Sequence, residues 1–461
     1  VATAPEWCEA KHNLGRACFG LGRSDEALSL FAEASLGVRV ELPLRAIAVA
    51  APGAPSSTQR GILAARQAWA QRFLPQRGRP APAHRPHGEP LRIGYISAFF
   101  QTNNWMKPVW GLINEHDRSR VEVHLFSDAP ASAIEHGYRA HANDRFYDVT
   151  NLSNEAAAEI VAAADIDILV DLNGYSAPRR LGLIALRPAP LIVGWFNHFA
   201  TTGIAAYDYL IGDATVIPPE EECFYSESIL RVPGSYLAFS VEYPVPPVAP
   251  SPRRANRATT FGCLAPQYKI NDRVIDAWSA ILRAVPGSLL VLRNTALNAA
   301  ETRRFVRDRF AERSIDATRL RLYGRAEHYA FLETYDAIDI ALDTFPYNGG
   351  TTTSEALWQG VPVVTFWGDR WASRTSASLL RAGDLSAFVA ADLAAYVALA
   401  SRLGNAPEMP ERLAELRTSM RSRLRACAVC DTAGLARSLE GIYERLARDR
   451  LPFPAASFLA E

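Results

Sequence analysis

The amino-acid sequence predicts an α/β protein: two doubly wound parallel sheets preceded by a short α-helical segment. Three observations carry that expectation. Strand-length apolar runs alternate with helix-patterned stretches from residue 91 to residue 365, the signature of parallel βαβ units. The 461 residues exceed what one hydrophobic core usually supports, and 49% apolar content is ample for two. One stretch, 338–365, reads IDIALDTFPYNGGTTTSEALWQGVPVVT: a strand, a glycine turn, a helix and a second strand in direct succession.

Taken in order, residues 7–36 form two short helices around the turn Gly22-Arg23-Ser24-Asp25. The spacing of Leu14, Gly15, Gly22, Ala27, Phe31 and Ala34 resembles one tetratricopeptide unit, a helical hairpin that cannot bury its own face alone. Either further units precede it or it caps the body that follows. Helix continues to about residue 73, so 1–73 reads as one helical segment. Residues 74–90 are a proline-rich linker, and His84 and His87 within it are read as solvated rather than as metal ligands.

A first α/β domain, 91–240, has strands at 91–97, 121–127, 166–172 and 191–195 and a helix at 154–164. The loops after Ser97, Asp171 and Trp195 fall at strand C-terminal ends, where such sheets bind ligands. Residues 241–258, rich in proline and arginine, link it to a second domain, 259–405, with strands at 259–263, 288–292 and 320–323 and a helix at 275–284. Residues 406–461 read as helices packing back on the first domain. Two facing sheets with a nucleotide between them are the simplest architecture.

Forty-nine basic and forty-nine acidic residues cancel, which argues against nucleic-acid or membrane-surface binding through bulk charge. No run approaches a membrane span and no basic-then-apolar leader opens the chain, so a cytoplasmic protein is expected. Cysteines at 8, 18, 223, 263, 427 and 430 show no disulfide framework, and the lone Cys427-x-x-Cys430 reads as two helix-borne thiols rather than a zinc or redox site. Lysine occurs only at Lys11, Lys107 and Lys269. Each is a position where arginine has not served.

The 338–365 unit has a chemical use. A helix N-terminus offers N–H donors and partial positive charge, Gly349 and Gly350 let backbone approach a ligand, and Thr351, Thr352 and Thr353 add hydroxyls, so a diphosphate fits there. Glu355, just inside the helix, is placed to accept from ribose hydroxyls. A threonine-capped helix without ligand is the other reading of the same residues.

Four ordered patches then resemble the family containing the protein O-GlcNAc transferases and the plant SPINDLY-type O-fucosyltransferases. They are 167–175 (DILVDLNGY); 186–190 (LRPAP) with Trp195 and 201–203 (TTG); 261–270 ending in Tyr268-Lys269; and 338–365 continued by Gly368 and Ala372-Ser373-Arg374. The resemblance spans roughly residues 91–445. It implies the GT-B fold of two facing Rossmann-like domains, and inverting, metal-independent sugar transfer from a nucleotide donor with no cofactor. It places Lys269 as the cation for the departing diphosphate. Gly350, Thr351 and Thr352 take the diphosphate, Glu355 the ribose, Arg325 and Ala326 the uracil edge through their backbone, and Phe331 stacks on the base. Asp165-Ile166-Asp167 is a D-x-D at the entrance to a strand and reads as surface capping rather than a metal site.

The departures lie in the first domain. Asn103 stands where the family has a histidine, Arg145 where it has a second, and Asn197-His198-Phe199 replaces the usual Gly-Tyr-Pro. His198 is then the histidine available as a general base, with a hydrogen-bonded structural role as its alternative; the donor phosphate is another acceptor for the proton. Asn103, Asn197 and Thr201 fall on the sugar and acceptor side. The expectation is a protein glycosyltransferase moving GlcNAc from UDP-GlcNAc to Ser or Thr of a polypeptide presented by the helical arm. The same fold with GDP-fucose or a CMP-linked nonulosonic acid, and a degenerate transferase acting as a protein-binding scaffold, are the alternatives.

Overall fold

The structure, a computed structural model, describes residues 7–80, 89–129, 134, 136–252, 258–449 and 458–459. His84, His87 and part of the second linker lie outside the described residues. The chain forms two compact units, one of Thr58–Tyr243 with Ala428–Glu461, the other of Val1–Ser57 with Pro244–Cys427.

The first unit holds strands β1 (Leu91–Ser97), β2 (Val121–Ser127), β3 (Arg145–Asp148), β4 (Ile168–Asp171), β5 (Leu191–Gly194), β6 (Tyr209–Gly212) and β7 (Ser228–Arg231). They lie in the order β3-β2-β1-β4-β5-β6-β7, all parallel, and Phe458–Leu459 pairs with β7 at the edge. Helices cover the sheet, so β1 and β4 read as continuous apolar runs: Ile93, Tyr95, Ile96, Ile168, Leu169 and Val170 are all buried. The D-x-D is engaged structurally: Asp167 accepts from the N–H of Arg92 at 2.9 Å and Asp165 pairs with its guanidinium at 3.0 Å.

The second unit holds β8 (Thr260–Cys263), β9 (Leu289–Arg293), β10 (Leu320–Tyr323), β11 (Ile340–Leu342), β12 (Val363–Phe366) and β13 (Val389–Ala390), in the order β10-β9-β8-β11-β12-β13 and parallel throughout. Its core packs Val274, Trp278, Ile281 and Leu282 of the helix Asp272–Ala284 with Phe261, Leu290, Leu292 and Ile340. Asn271 caps that helix by accepting from the Val274 N–H at 3.1 Å. In both units strand order reverses beside the first strand, at β1/β4 and β8/β11, the doubly wound arrangement whose ligand crevice opens at that reversal.

The units divide the chain elsewhere than expected. The 1–73 helical segment parts at Ser57. Helices Cys8–Gly20, Ser24–Ala34 and Glu41–Ala50 stay with the second sheet. Gln59–Phe73 joins the first, where buried Arg66 donates to the Thr201 carbonyl at 2.5 Å and its guanidinium lies 3.9 Å from the centre of the Tyr175 ring. Residues 406–461 part likewise. Helix Met409–Arg425 belongs to the second unit because Arg417, almost fully buried, donates to the carbonyls of Ala249, Ile338 and Tyr335 at 2.6–2.7 Å. Only from Ala428 onward does the chain lie with the first unit, where buried Glu440 of helix Thr432–Asp449 binds His116 at 2.9 Å and Arg120 at 3.0 Å.

Among the described residues no helix is long and apolar enough to cross a membrane.

Candidate functional site

In the second unit, the loops that leave β8 and β11 meet at the strand-order reversal. The β8 loop ends in the three-residue turn Gln267–Lys269, and the β11 loop runs through Asp343 to Asn348 and into the helix Thr351–Trp358. Lys269 is half-buried; its Nζ donates to the Asn348 carbonyl at 2.7 Å and lies 3.6 Å from the centre of the Tyr347 ring. Burial pulls this ammonium down to about 8, with the Asp343 carboxylate opposing.

Asp343 organises the glycine turn from below. It is buried, and its Oδ1 accepts the N–H groups of Gly349 and Thr344 at 2.9 Å, while Oδ2 accepts the Thr365 hydroxyl at 2.8 Å. Burial pushes its carboxyl above the ordinary range despite those bonds. Gly349 has no room for a side chain: a β-carbon there would lie 2.6 Å from the hydroxyls of both Thr352 and Thr353. The helix starts at Thr351 rather than after the threonines, so the three threonines form its first turn, where N–H groups have no intrahelical acceptor. Thr353 Oγ1 lies 2.8 Å from Ser376 Oγ, which donates to the Gly349 carbonyl at 2.9 Å. Gly350, Thr351 and Thr352 remain half-buried at the turn's rim.

Glu355 points inward from the same helix with 1% of its side chain exposed, and His328 Nε2 lies 3.7 Å from its Oε1. His328 also stacks at 6.1 Å on half-buried Phe331, which meets Tyr335 edge-on. The Tyr335 hydroxyl in turn donates to the Thr352 carbonyl at 3.0 Å. The first turn of helix Thr351–Trp358 and the His328–Phe331–Tyr335 group are thereby tied together. Arg325 is exposed and Ala326 half-buried in the loop after β10. The Arg325 N–H donates to Asn298 Oδ1 at 2.8 Å.

The first unit gathers Asn103, Asn197, His198 and Thr201 on loops after β1 and β5, and two expectations are corrected. His198 is not an open base. Its side chain is 1% exposed, and Nε2 faces Asp171 Oδ2 at 3.4 Å, a contact longer than an ordinary hydrogen bond. Burial pushes the Asp171 carboxyl up, but His198, the Tyr207 hydroxyl at 2.6 Å and the Asn173 N–H at 3.0 Å hold it below the ordinary range. The imidazole therefore serves the loop. Thr201 is likewise closed in: its hydroxyl donates at 2.7 Å to buried Glu227, which also takes the N–H and hydroxyl of Thr202. Asn197 donates to the Leu172 carbonyl at 2.8 Å. Asn103 is half-buried and its Oδ1 has no hydrogen-bond partner among the described residues.

Asp343, Tyr347, Asn348, Ser376 and His328 escaped the sequence reading. The one available signal was an acidic residue directly following the apolar run 340–342.

The profile of Glycosyl transferase family 41 matches residues 80–240 and 253–438. A probable UDP-N-acetylglucosamine–peptide N-acetylglucosaminyltransferase SPINDLY of Oryza sativa subsp. japonica is 33% identical over 395 residues, 83% of this chain and 42% of its own. The corresponding SEC protein of Arabidopsis thaliana is 30% identical over 82% of this chain and 39% of its own. The chain thus spans about two fifths of the length of these curated relatives. A solved Thermobaculum terrenum O-GlcNAc transferase variant superposes with a TM-score of 0.87 at 31% identity, covering 98% of this chain and 86% of that one. The two Rossmann-like parallel sheets with N-terminal helical hairpins are those of the GT-B class. The chain belongs to glycosyl transferase family 41.

Proposed function

We propose that this chain transfers GlcNAc from UDP-GlcNAc to Ser or Thr hydroxyls of a polypeptide, with inversion and without a metal. One observation carries the reading: the Lys269 ammonium is fixed at the β8/β11 reversal, beside a helix start that presents glycine and threonine donors. The diphosphate lies against Gly349, Gly350 and the first turn Thr351–Thr353, Glu355 takes the ribose, and Phe331 faces the base. As the bond from the anomeric carbon to the diphosphate oxygen breaks, charge grows on that oxygen, and Lys269 with the helix N-terminus stabilises it. The acceptor oxygen bonds to the anomeric carbon from the opposite side, and its proton passes to a phosphate oxygen of the donor, since His198 is closed in. Lys269 stands in for a divalent cation, so no metal is required. The names of the rice and Arabidopsis relatives support this donor and a peptide acceptor, and that of the Thermobaculum relative supports GlcNAc transfer to oxygen. The helical arm presents the polypeptide, and six free cysteines support a cytoplasmic setting.

Calorimetry with UDP, GDP and CMP tests the donor class. Saturable binding of UDP alone supports the reading. Selective binding of GDP or CMP replaces the donor, and no binding by folded protein removes the transferase reading and leaves a scaffold.

A further inference from the structure

We propose that the N-terminal helical hairpin is a working part of the nucleotide site, with Phe19 and Gly22 as positioning residues for Lys269. This rests on the role given to Lys269 above. Lys269 ends a turn of only three residues, closed by Lys269 N–H to the Pro266 carbonyl at 3.0 Å and Ile270 N–H to the Gln267 carbonyl at 2.9 Å. Such a turn has little rigidity of its own. The hairpin supplies what it lacks. Gly22, at the tip between helices Cys8–Gly20 and Ser24–Ala34, has a φ of +85°. A β-carbon there would overlap the Ile270 carbonyl and lie 3.1 Å from that of Gln267. Hairpin backbone is thus packed directly onto turn backbone, an approach that only glycine permits.

Beside that contact the Phe19 ring stacks on Tyr268 at 5.3 Å with 17° between planes. Tyr268 meets Tyr347 at 6.1 Å, and Tyr347 is the ring beneath the Lys269 ammonium. An unbroken series of rings therefore runs from the hairpin to the cation. A second contact reaches the Tyr347 loop: a β-carbon on Gly53 would touch the Tyr347 ring at 3.4 Å.

The test compares Phe19→Ala and Gly22→Ala with Phe19→Tyr, which keeps the ring, and with Leu14→Ala on the exposed part of the same helix. Hydrogen exchange of residues 265–271, UDP affinity and kcat are measured on the full chain. Phe19→Ala is expected to raise exchange in 265–271 and lower kcat about tenfold with UDP affinity changed less than about threefold. Phe19→Tyr should restore both, and Leu14→Ala should match the parent. Unchanged exchange and kcat in folded Phe19→Ala, or the same losses in Leu14→Ala, would overturn the proposal. If Gly22→Ala does not fold, Phe19→Ala decides alone. If the parent transfers no sugar, the transferase reading fails, while the exchange comparison still decides whether the hairpin supports the turn.

Discussion

Lys269 Nζ donates to the carbonyl of Asn348 across 79 residues of sequence at 2.7 Å, joining the loop after β8 to the loop after β11. The bond fixes a cation where strand order reverses, and costs stability because the ammonium is drawn from water.

The first prediction follows from that cost. Lys269 has its proton affinity lowered in the folded state to about 8, so folded protein binds fewer protons than unfolded protein between about 8 and the ordinary lysine value. Stability rises with pH across that window, and below it the full penalty is present. Lys269→Met is expected to raise the Tm at pH 7, by up to about 3 kcal/mol of unfolding free energy, while lowering kcat by about 10² to 10³. In the free enzyme, kcat/KM of the parent should fall as pH rises through about 8. Melting curves and a pH–rate profile check both signs.

Glu355→Gln keeps the volume of a side chain that is 1% exposed but replaces one carboxyl oxygen by an NH2 donor. If it takes the ribose, UDP binding should weaken about tenfold or more with the protein still folded. Calorimetry reads this, and an unchanged Kd would remove Glu355 from the site.

Asp343→Asn replaces an acceptor of two N–H groups and one hydroxyl by a group with one acceptor oxygen. The glycine turn should loosen, costing about 1–3 kcal/mol in stability. Hydrogen exchange at Gly349 and Thr344 should rise together, because the same Oδ1 holds both.

His198→Ala separates a structural histidine from a base. It should destabilise the protein by about 1–3 kcal/mol while kcat of the folded variant stays within about threefold of the parent, far from the 10² that loss of a positioned base brings. Asp171 is depressed in the folded state, so its contribution is present above the ordinary carboxylate range and is lost as pH falls through its folded value. Without His198 that depression shrinks, and the acid limb of the Tm–pH curve should flatten.

The sheets were largely legible because buried parallel strands are short apolar runs ended by turn residues. The ends of β1 and β2 fall where the runs 91–97 and 121–127 do. β6 and β7 went unread although β5, equally short, was found, so length alone does not explain the omission. Gly349 and the threonines were visible because their chemistry is local. The burial of His198 and Thr201 was not, since it depends on Asp171, Tyr207 and Glu227, whose distances in sequence no local pattern encodes. The Phe19–Tyr268 contact escaped for the same reason, and it moves the hairpin from a neighbouring segment into the second unit.

The most direct test is transfer of labelled GlcNAc from UDP-GlcNAc to a Ser/Thr peptide by the parent chain and by Lys269→Ala, each with and without EDTA. The account predicts labelling by the parent that EDTA leaves intact and that Lys269→Ala lacks while still binding UDP. Labelling that EDTA abolishes, or that survives in Lys269→Ala at the parent's rate, would contradict it.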